Sequence, residues 1–330
     1  MGEGLEIAKA LSAPTMKLMD MVGGAIGTAY APIHKRKMAD ATVYEINVIG
    51  EAMRNAADLP ILYNENGVVI NSEDFTRLMQ RAGTRMVLQE TTKQHNIESV
   101  VDNAYEILEN ETNCSDEPVE QGWINRFFDS VADISDEDLQ KLWGKVLAGE
   151  IKQPKSYSLR TLETLKNLSK YEALLFEKLS SIVAYIDRNY FVISNTKILE
   201  KYGVAYGEIL ALDECGLINS DGMVTLNPQI SIDNSKAIYN EAGILLLKKS
   251  KQEDKISFGI FGLTRAGKEL FSILTPTFNI DYLCDLAKEI EKNNRGKVSI
   301  TVHKVENIDN YIVNYDETIL VEYPEKTNKE

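Results

Sequence analysis

A chain of 330 residues with 44% hydrophobic side chains is long enough to bury two or three cores, which excludes disorder of the whole chain. The formal net charge of -14 at pH 7 argues against broad nucleic-acid binding, because neutralising phosphates needs clustered Lys and Arg. The three cysteines, Cys114, Cys215 and Cys284, are odd in number and widely spaced, a pattern typical of reduced thiols in a cytoplasmic protein.

The first predicted helix covers residues 13–33 and carries two stripes. Apolar side chains recur at helical spacing on one, small residues recur every fourth position on the other, and a basic cluster follows. These features predict contacts to another copy of the chain, to a partner protein or to a membrane. The candidate contact residues are Met19, Val22, Gly23, Ile26, Gly27, Tyr30, Ala31, Lys35, Arg36 and Lys37.

Two environments fit this glycine-striped helix. Its glycines each cost an isolated helix about 1 kcal/mol, so either close packing in the protein or an oligomer, or a membrane-like surrounding, has to compensate. Because Lys17 and Asp20 interrupt it, the segment falls short of the roughly 20 apolar residues of a spanning helix. We expect a cytoplasmic protein, with a peripheral position at the inner membrane as the alternative.

Further helices follow in the N-terminal region. The pattern predicts a second helix over residues 35–57 and a hairpin or loop over 59–70. A third helix, capped by Asn71 or Ser72, carries one apolar face, and a fourth is expected to start at Asn96. The apolar face of the third helix consists of Phe75, Leu78, Met79, Ala82 and Met86.

An acidic segment runs from Glu98 to Asp138, with thirteen acidic residues and one basic residue, Arg126. It is either a solvated face or a docking surface for a basic partner or for divalent cations. The spacing of its carboxylates does not match a calcium-binding loop.

The central segment shows the strongest helical pattern in the chain. Ser135 with Asp138 is a capping-box variant that opens a helix with Trp143 at the centre of its apolar face. Ser156 or Ser158 caps the next helix, and Ser169 with Glu172 opens a third, which is predicted to run through Ile182 and Ile186. Short connections make these helices antiparallel neighbours in a bundle.

The run LWGKVLAGEIKQPKSYSLRTLETLKNLSKYEALLFEKL, residues 142–179, resembles the core signature of the bacterial family known as domain of unknown function 2806. The resemblance covers about Gly122 to Leu274. A fainter resemblance, in the Leu-Trp-x-x-Val-Leu-Ala run and the Leu-x-x-Leu-Ser repeat, extends to the abortive-infection alpha family of phage-defence proteins. The first family is uncharacterised, so the resemblance implies no catalytic residues; the second implies phage defence by analogy.

The chain beyond Arg188 shifts toward strands and turns. A short helix over residues 206–217 is followed by apolar runs, predicted as strands, at 223–226, 237–247 and 256–261. This order predicts a winged-helix-like module. Nine basic and ten acidic residues between Asn195 and Leu270 favour protein interaction over DNA binding. A helix over 280–292 and strands over 297–305 and 318–323 complete the prediction.

One stretch, Gly262 to Glu269, matches the phosphate-binding P-loop until its last position, where Glu replaces the Ser or Thr that coordinates magnesium. We therefore expect no nucleotide site here. Thr264 is predicted to cap a helix whose Leu263 and Leu270 pack in the core.

The predicted fold is mainly α with a C-terminal α+β part. Its segments are an N-terminal helical region at 1–110, an acidic linker at 111–121, a central helical bundle at 122–190, a winged-helix-like module at 191–275, and a C-terminal helix and strands with a polar tail at 276–330.

The predicted function is a non-enzymatic regulator or effector that acts through oligomerisation, partner binding or membrane engagement of the N-terminal region. The alternatives are a DNA-binding or sensor protein that uses the winged-helix-like module, and an enzyme with an unrecognised site. The sequence offers no catalytic residue, no cofactor-binding residue and no metal-ligand spacing among His34, His95 and His303. A protein partner or self-association is expected, a membrane surface is an alternative, and net charge disfavours nucleic acid.

Overall fold

The computed structural model describes residues 12–26, 73–221, 224–309 and 312–324. The chain divides into two compact units, Met1–Ser156 and Tyr157–Glu330. The helix predicted over 35–57 and the hairpin or loop predicted over 59–70 lie outside the described residues. The division of the chain into five segments stays a prediction.

The regular structure described in unit 1 is helical. The described helices are α1 Ala13–Ile26, α2 Glu73–Leu108, α3 Gln121–Val131 and α4 Glu137–Lys152. The first predicted helix is confirmed over Ala13–Ile26, and the rest of its predicted length lies outside the described residues.

The separate helix predicted to start at Asn96 is wrong, because α2 runs unbroken for 36 residues. Asn96 is buried, and its Nδ2 donates to the backbone oxygen of Ala132 at 2.8 Å and to Ser135 Oγ at 3.3 Å. Its amide therefore ties α2 to the connection between α3 and α4. A buried polar side chain on the core face of a helix resembles a cap in sequence, because both use the same residue types.

The core of unit 1 forms around Trp143, as predicted, and this side chain is fully buried. Its ring meets Phe127 edge to face with centroids 5.3 Å apart, and Phe127 stacks on Trp123 at 5.0 Å. Gly144 allows α4 to approach α2 closely, since a Cβ at this position would lie 2.6 Å from the Cβ of Asn103. The cap of α4 is Asp136 and not Ser135, because the Asp136 carboxylate accepts from two backbone N–H groups of the first turn.

Unit 2 combines helices with a sheet. Its helices are α5 Leu159–Lys166, α6 Lys170–Ser180, α7 Thr196–Lys201, α8 Tyr206–Glu214, α9 Arg265–Phe271 and α10 Ile280–Asn293. Its described strands are β1 Ala184–Ile186, β2 Asn189–Ile193, β3 Ile218–Asn219, β4 Thr225–Leu226, β5 Lys236–Tyr239, β6 Gly243–Lys249, β7 Phe258–Leu263, β8 Val298–Asp309, β9 Ile312–Tyr315 and β10 Val321–Tyr323.

The described strands form one antiparallel sheet in the order β10-β8-β6-β5-β1-β2-β7-β3, with β4 also on β7 and β9 also on β8. Helix α10 packs on β6, β8 and β10. Its fully buried Tyr282 accepts a hydrogen bond at the phenolic oxygen from the backbone N–H of Ile193 on β2, at 2.9 Å. The prediction of a mainly helical chain with a C-terminal α+β part is confirmed at this level.

The predicted start of α6 agrees with the structure, and its predicted end does not. The Ser169–Glu172 capping box is confirmed, since both of its hydrogen bonds form. The extension of that helix to Ile182 and Ile186 is wrong, because α6 ends at Ser180 and Ile186 belongs to β1. Asp187 and Arg188 have φ of 47° and 66°, which makes the tight turn that pairs β1 with β2.

The single strand predicted over residues 237–247 is also wrong, because β5 and β6 are separate strands of a hairpin. The Oδ1 of Asn240 accepts from the backbone N–H groups of Ala242 at 2.9 Å and Gly243 at 3.2 Å. This side chain stabilises the turn between β5 and β6. The sequence pattern treated residues 237–247, which include this turn, as one apolar-rich run.

Candidate functional site

A pocket of about 190 Å³ lies within unit 2 and is lined by residues from β1, β2 and β5, from the turn after β5 and from the end of α9. Five aromatic side chains line it, together with Asn240, Glu241 and a few aliphatic residues. The aromatic side chains are Tyr185, Tyr190, Tyr239, Phe271 and Phe278.

The sheet register determines which rings meet. Tyr185 on β1 faces Tyr190 across the β1–β2 hairpin and faces Tyr239 on the neighbouring strand β5. The centroids of Tyr185 and Tyr190 are 4.8 Å apart, and those of Tyr185 and Tyr239 are 5.1 Å apart. Cross-strand aromatic pairs of this kind stabilise a sheet, so the three rings hold one another in position.

Two phenylalanines continue this chain of rings beyond the sheet. Phe271, the last residue of α9, lies 5.1 Å from Tyr190, and Phe278 lies 6.4 Å from Phe271. The planes of neighbouring rings in this series of five are inclined to each other by 48° to 66°. The rings are therefore not stacked in parallel, and all five keep part of their surface exposed.

The edge of the pocket is formed by the turn between β5 and β6. Asn240 is buried and accepts two backbone hydrogen bonds from the turn, while its Nδ2 donates to the backbone oxygen of Val183 at 3.5 Å. Glu241 follows it in the turn, lines the pocket and is exposed. Among the described residues that line the pocket, Glu241 is the charged one.

A second feature is the exposed face of the first half of α2 in unit 1. Leu78, Met79 and Met86 are exposed by 52%, 57% and 61%, although the sequence pattern placed all three on an apolar helix face. From Asn96 onward the same helix buries Val100, Val101, Ala104 and Leu108 in the core of unit 1. We call residues 77–89 the exposed half of α2.

The comparison with protein-family profiles gives one match, over residues 80–287, to the family described as a protein of unknown function, DUF2806. The match covers more than half of the chain. The chain belongs to this family. The resemblance noted in the sequence over Gly122 to Leu274 is thereby confirmed, and the matched region is longer at both ends. A search of the curated proteins found no match, and a search of the solved structures found none either.

The DUF2806 region includes the five aromatic residues of the pocket and most of α2, and it ends within α10. It therefore spans parts of both units. Strands β8 to β10 lie beyond it.

The stretch that resembles a P-loop, Gly262 to Glu269, has a packing role within the DUF2806 region. Thr264 caps α9 by accepting from the N–H of Gly267, and Leu263 and Leu270 are buried, as predicted. Gly267 lies against the chain before β3, because a Cβ there would come within 2.0 Å of the carbonyl oxygen of Leu217. This contact accounts for the second glycine of the motif without any phosphate.

Glu269, which stands where a P-loop has its hydroxyl residue, accepts hydrogen bonds from three side chains and one backbone N–H. Its Oε2 accepts from the N–H and Oγ of Ser158 and from Thr161 Oγ1, and its Oε1 accepts from Arg265 Nε at 2.7 Å. Although burial alone raises its pKa, the hydrogen bonds from Thr161, Ser158 and Arg265 together lower the pKa of this carboxyl. Ser158 stands at the start of α5 as predicted, but its side chain makes no capping bond to the helix.

The predicted contact residues of the glycine-striped helix divide into two groups. Val22 is fully buried, and Met19 and Gly23 are half-buried, as α1 packs on α2, α3 and α4. Ile26 ends α1. Gly27, Tyr30, Ala31, Lys35, Arg36 and Lys37 lie outside the described residues, and the role of the whole set stays a prediction.

Lys17 of α1 also has an internal role. Its Nζ donates to the backbone oxygens of Ser115 at 2.9 Å, Glu117 at 2.6 Å and Ile151 at 3.1 Å. The last of these acceptors lies in the final turn of α4, where a cation offsets the partial negative charge of the helix end. None of the helices within residues 12–26, 73–221, 224–309 and 312–324 is long and apolar enough to cross a membrane.

Two of the described thiols, Cys215 and Cys284, have raised pKa values. Burial, with a hydrogen bond to Glu172, raises the pKa of Cys215 to about 12, and burial also raises the pKa of Cys284. In the described parts of the chain, no group of three His, Cys, Asp or Glu residues is arranged to hold a metal ion. The ring of His303 bonds to Thr301 Oγ1 at 2.9 Å and to the backbone oxygen of Asp316 at 3.1 Å, which is a structural role.

The pocket residues were missed by sequence reasoning. They come from six separate segments between Val183 and Ile308, so that only strand register and helix packing bring them together. One signal was present: Tyr185 and Tyr190 are symmetric about the Asp187-Arg188 turn, and a hairpin there places them opposite each other.

Proposed function

We propose that the chain is a non-enzymatic regulator or effector that acts by self-association of its helical N-terminal region. The observation that carries this proposal is the exposed half of α2, where Leu78, Met79 and Met86 present their side chains to solvent. Such a row of large apolar side chains on one helix face is typical of a surface that another molecule covers.

The charge of the exposed half of α2 indicates what kind of surface would bind it. Arg77, Arg81 and Arg85 recur every fourth residue beside the apolar row, and no Asp or Glu occurs from Phe75 to Gln89. Two copies that paired these faces in antiparallel fashion would bring arginine rows together. A partner surface rich in carboxylates is therefore favoured.

The same chain supplies such a surface. The acidic segment from Glu98 to Asp138 belongs to unit 1 and has exposed carboxylates along it. These include Glu106, Glu109, Asp116, Glu117, Glu120, Asp129, Asp133 and Glu137. A second copy is thus the proposed occupant, with the exposed half of α2 of one chain on the acidic segment of the other. Contacts between different faces join copies head to tail and build rings or open chains.

The test is the oligomeric state of the full chain, measured by light scattering after size exclusion at low and at high salt. We expect assemblies that grow with concentration and weaken with salt, because exposed charges are screened beyond about 10 Å at 0.1 M salt. The variant Leu78→Ser with Met86→Ser should be monomeric. Leu174→Ser is the matched control, since Leu174 on α6 is exposed by 54% but has no arginine row beside it.

A mixing experiment tests the head-to-tail geometry. Arg81→Glu with Arg85→Glu removes one face, and Asp116→Lys with Glu120→Lys alters the other. Each variant alone should be monomeric, but a mixture of the two should form dimers, because each retains the face that the other lacks. A wild-type chain that stays monomeric at every concentration and both salt levels contradicts the proposal. Flotation of that monomer with anionic vesicles would assign the same face to a membrane surface instead.

Phage defence is the biological setting that we propose for this association, on the basis of the fainter resemblance to the abortive-infection alpha family. Plaque formation on cells that express the wild-type chain or the Leu78→Ser, Met86→Ser variant tests it. Protection that is lost in the variant but kept in Leu174→Ser would support the setting. Equal plaque formation with and without the wild-type chain, across a panel of phages, would contradict it.

A second candidate is a sensor that uses a winged-helix-like module in unit 2. The order β2-β7-β3, with α7 and α8 between β2 and β3, supports this arrangement. However, α8 carries Glu208, Asp213 and Glu214 and no basic residue, which disfavours major-groove binding. We expect no shift of genomic DNA fragments in a gel at low salt. A shift that is lost on mutating basic residues of unit 2 would favour the DNA-binding alternative.

A further inference from the structure

We propose that the aromatic pocket of unit 2 binds a small organic cation, with a methylated ammonium group held against its rings and beside Glu241. The observations behind this inference lie in unit 2, and they are independent of the self-association proposed for α2. The ligand chemistry follows from the rings, the charge and the size of the pocket.

The rings favour a cation over a flat aromatic ligand. A cation is attracted to the negative face of an aromatic ring, and several faces around one space add their contributions. The ring of Tyr185 lies between those of Tyr190 and Tyr239, with centroid distances of 4.8 Å and 5.1 Å and interplanar angles of 54° and 66°. Phe271 and Phe278 continue the wall at further angles. A rounded group such as trimethylammonium contacts inclined faces together, whereas a flat ring stacks on one.

The charge of the residues that line the pocket also favours a cationic ligand. Glu241 lines the pocket, and none of its described lining residues is Lys, Arg or His. The turn that carries Glu241 is held by hydrogen bonds from the backbone N–H groups of Ala242 and Gly243 to Asn240 Oδ1, which fix the backbone position of Glu241 beside the pocket. An anionic ligand such as a phosphate would meet this carboxylate with no cation among these residues to balance it.

The size of the pocket limits the ligand further. Its volume of about 190 Å³ is smaller than the roughly 300–1,000 Å³ of clefts that enclose drug-sized molecules. It suits one small cationic head group, with any remainder of the molecule outside. Free choline-like compounds, a trimethylated lysine side chain and a phosphocholine head group share this chemistry.

The experiment is a titration of the full chain with choline, followed by nuclear magnetic resonance of the ligand methyl signal. The matched ligand is 3,3-dimethylbutan-1-ol, which has the same shape without the charge. We expect saturable binding of choline and binding of the neutral analogue at least about fivefold weaker, because the cation–π contribution is lost. Titrations with a trimethyl-lysine peptide and with phosphatidylcholine vesicles then identify which source binds most tightly.

Variants locate the site. Tyr185→Leu should weaken choline binding about fivefold or more, because it removes the central ring, and Tyr185→Phe should retain most of the affinity. Glu241→Gln should weaken it about two- to fivefold. Tyr206→Leu on α8 and Glu253→Gln are controls, since both residues are exposed and neither lines the pocket. Thermal unfolding of each variant identifies any that fail to fold, in which case the comparison rests on Tyr185→Phe and Glu241→Gln.

Two results overturn the proposal. One is the absence of saturable binding of choline, the trimethyl-lysine peptide and phosphatidylcholine by the folded wild-type chain. The other is equal binding of choline and its neutral analogue, which would make the pocket a site for uncharged apolar groups. Neither result bears on the oligomeric state, so failure here is distinguishable from failure of the self-association.

Discussion

Tyr185 and Tyr190 face each other across the β1–β2 hairpin with ring centroids 4.8 Å apart, because only the Asp187-Arg188 turn and one residue on each side separate them. The same pairing that stabilises the hairpin also positions the central rings of the pocket. The stability of the sheet and the shape of the pocket therefore depend on the same two side chains. Variants that preserve the ring volume separate an effect on ligand binding from an effect on stability.

The buried hydrogen bond between Tyr282 and Ile193 should be measurable in unfolding experiments. Tyr282→Phe keeps the ring but leaves the N–H of Ile193 without its acceptor inside the core, where burial already raises the pKa of the phenol. We expect a loss of about 1–3 kcal/mol in the free energy of unfolding, measured in urea. Tyr206→Phe, at an exposed position on α8, should change it by less than about 0.5 kcal/mol. Equal stability of the two variants would contradict the bond.

The close approach at Gly267 predicts a steric effect. Gly267→Ala would bring a methyl group to 2.0 Å from the carbonyl oxygen of Leu217, so the chain before β3 has to shift. We expect a loss of about 1–3 kcal/mol by the overpacking mechanism. Gly207→Ala is the control, because that glycine lies in α8 with no atom within 4 Å of the added carbon. The control should be neutral or stabilising, and thermal unfolding of both variants makes the comparison.

The lowered pKa of Glu269 predicts that the free energy of unfolding depends on pH in the acid range. Its pKa is lower in the folded chain than the ordinary value of 4.5, so the folded state favours the ionised form more than the unfolded state does. The resulting stabilisation is fully present above the unfolded pKa and is lost as pH falls through the folded pKa. Glu269→Gln should therefore lower stability at neutral pH and flatten the loss below about pH 4.5.

The check for Glu269 is a series of urea unfolding curves from neutral to acid pH for both chains. Glu163→Gln is a suitable control, since Glu163 lies on the neighbouring helix α5. If the wild type and Glu269→Gln show parallel pH profiles, the hydrogen bonds from Ser158, Thr161 and Arg265 do not act as described.

Lys17 predicts that α1 stabilises the rest of unit 1. Lys17→Met removes three hydrogen bonds to the carbonyls of Ser115, Glu117 and Ile151 while keeping most of the side-chain length. Hydrogen bonds to charged groups contribute about 1.5–3 kcal/mol net. Because solvent reaches this ammonium group and screens it, we expect a total loss of about 1–3 kcal/mol. Lys141→Met, at an exposed ion pair on α4, should cost less than about 1 kcal/mol. Hydrogen exchange at the end of α4 should rise in the first variant only.

Features that depend on neighbours in sequence were predictable. The Ser169–Glu172 box and the Thr264 cap involve residues three apart, and their hydrogen bonds form within one helical turn. The burial of Trp143 followed from the period of the apolar residues around it. The match to the family was also visible, because it lies in this strongly patterned part of the chain.

Features that depend on distant partners were not predictable in this way. Asn96 has the residue type of a helix cap, and only its contact with the connection after α3 shows that it belongs inside a helix. The exposure of Leu78 and Met86 cannot be read from a pattern that is the same for buried and exposed apolar faces. The pocket requires the register of three strands and the end of α9, and the pairing of Tyr185 with Tyr190 is the part of it that has a local signal in the sequence.

The unbroken course of α2 has a mechanical consequence. From Met79 to Asn96 the helix extends about 26 Å at 1.5 Å per residue. In that stretch every turn is a regular α-helical turn, with no proline and no interruption at which bending could start. Asn96 lies at the inner end of this stretch. Hydrogen bonds from its side-chain amide to Ala132 and Ser135 join the helix to the core there. These hydrogen bonds therefore fix the direction in which the exposed half of α2 leaves the core of unit 1.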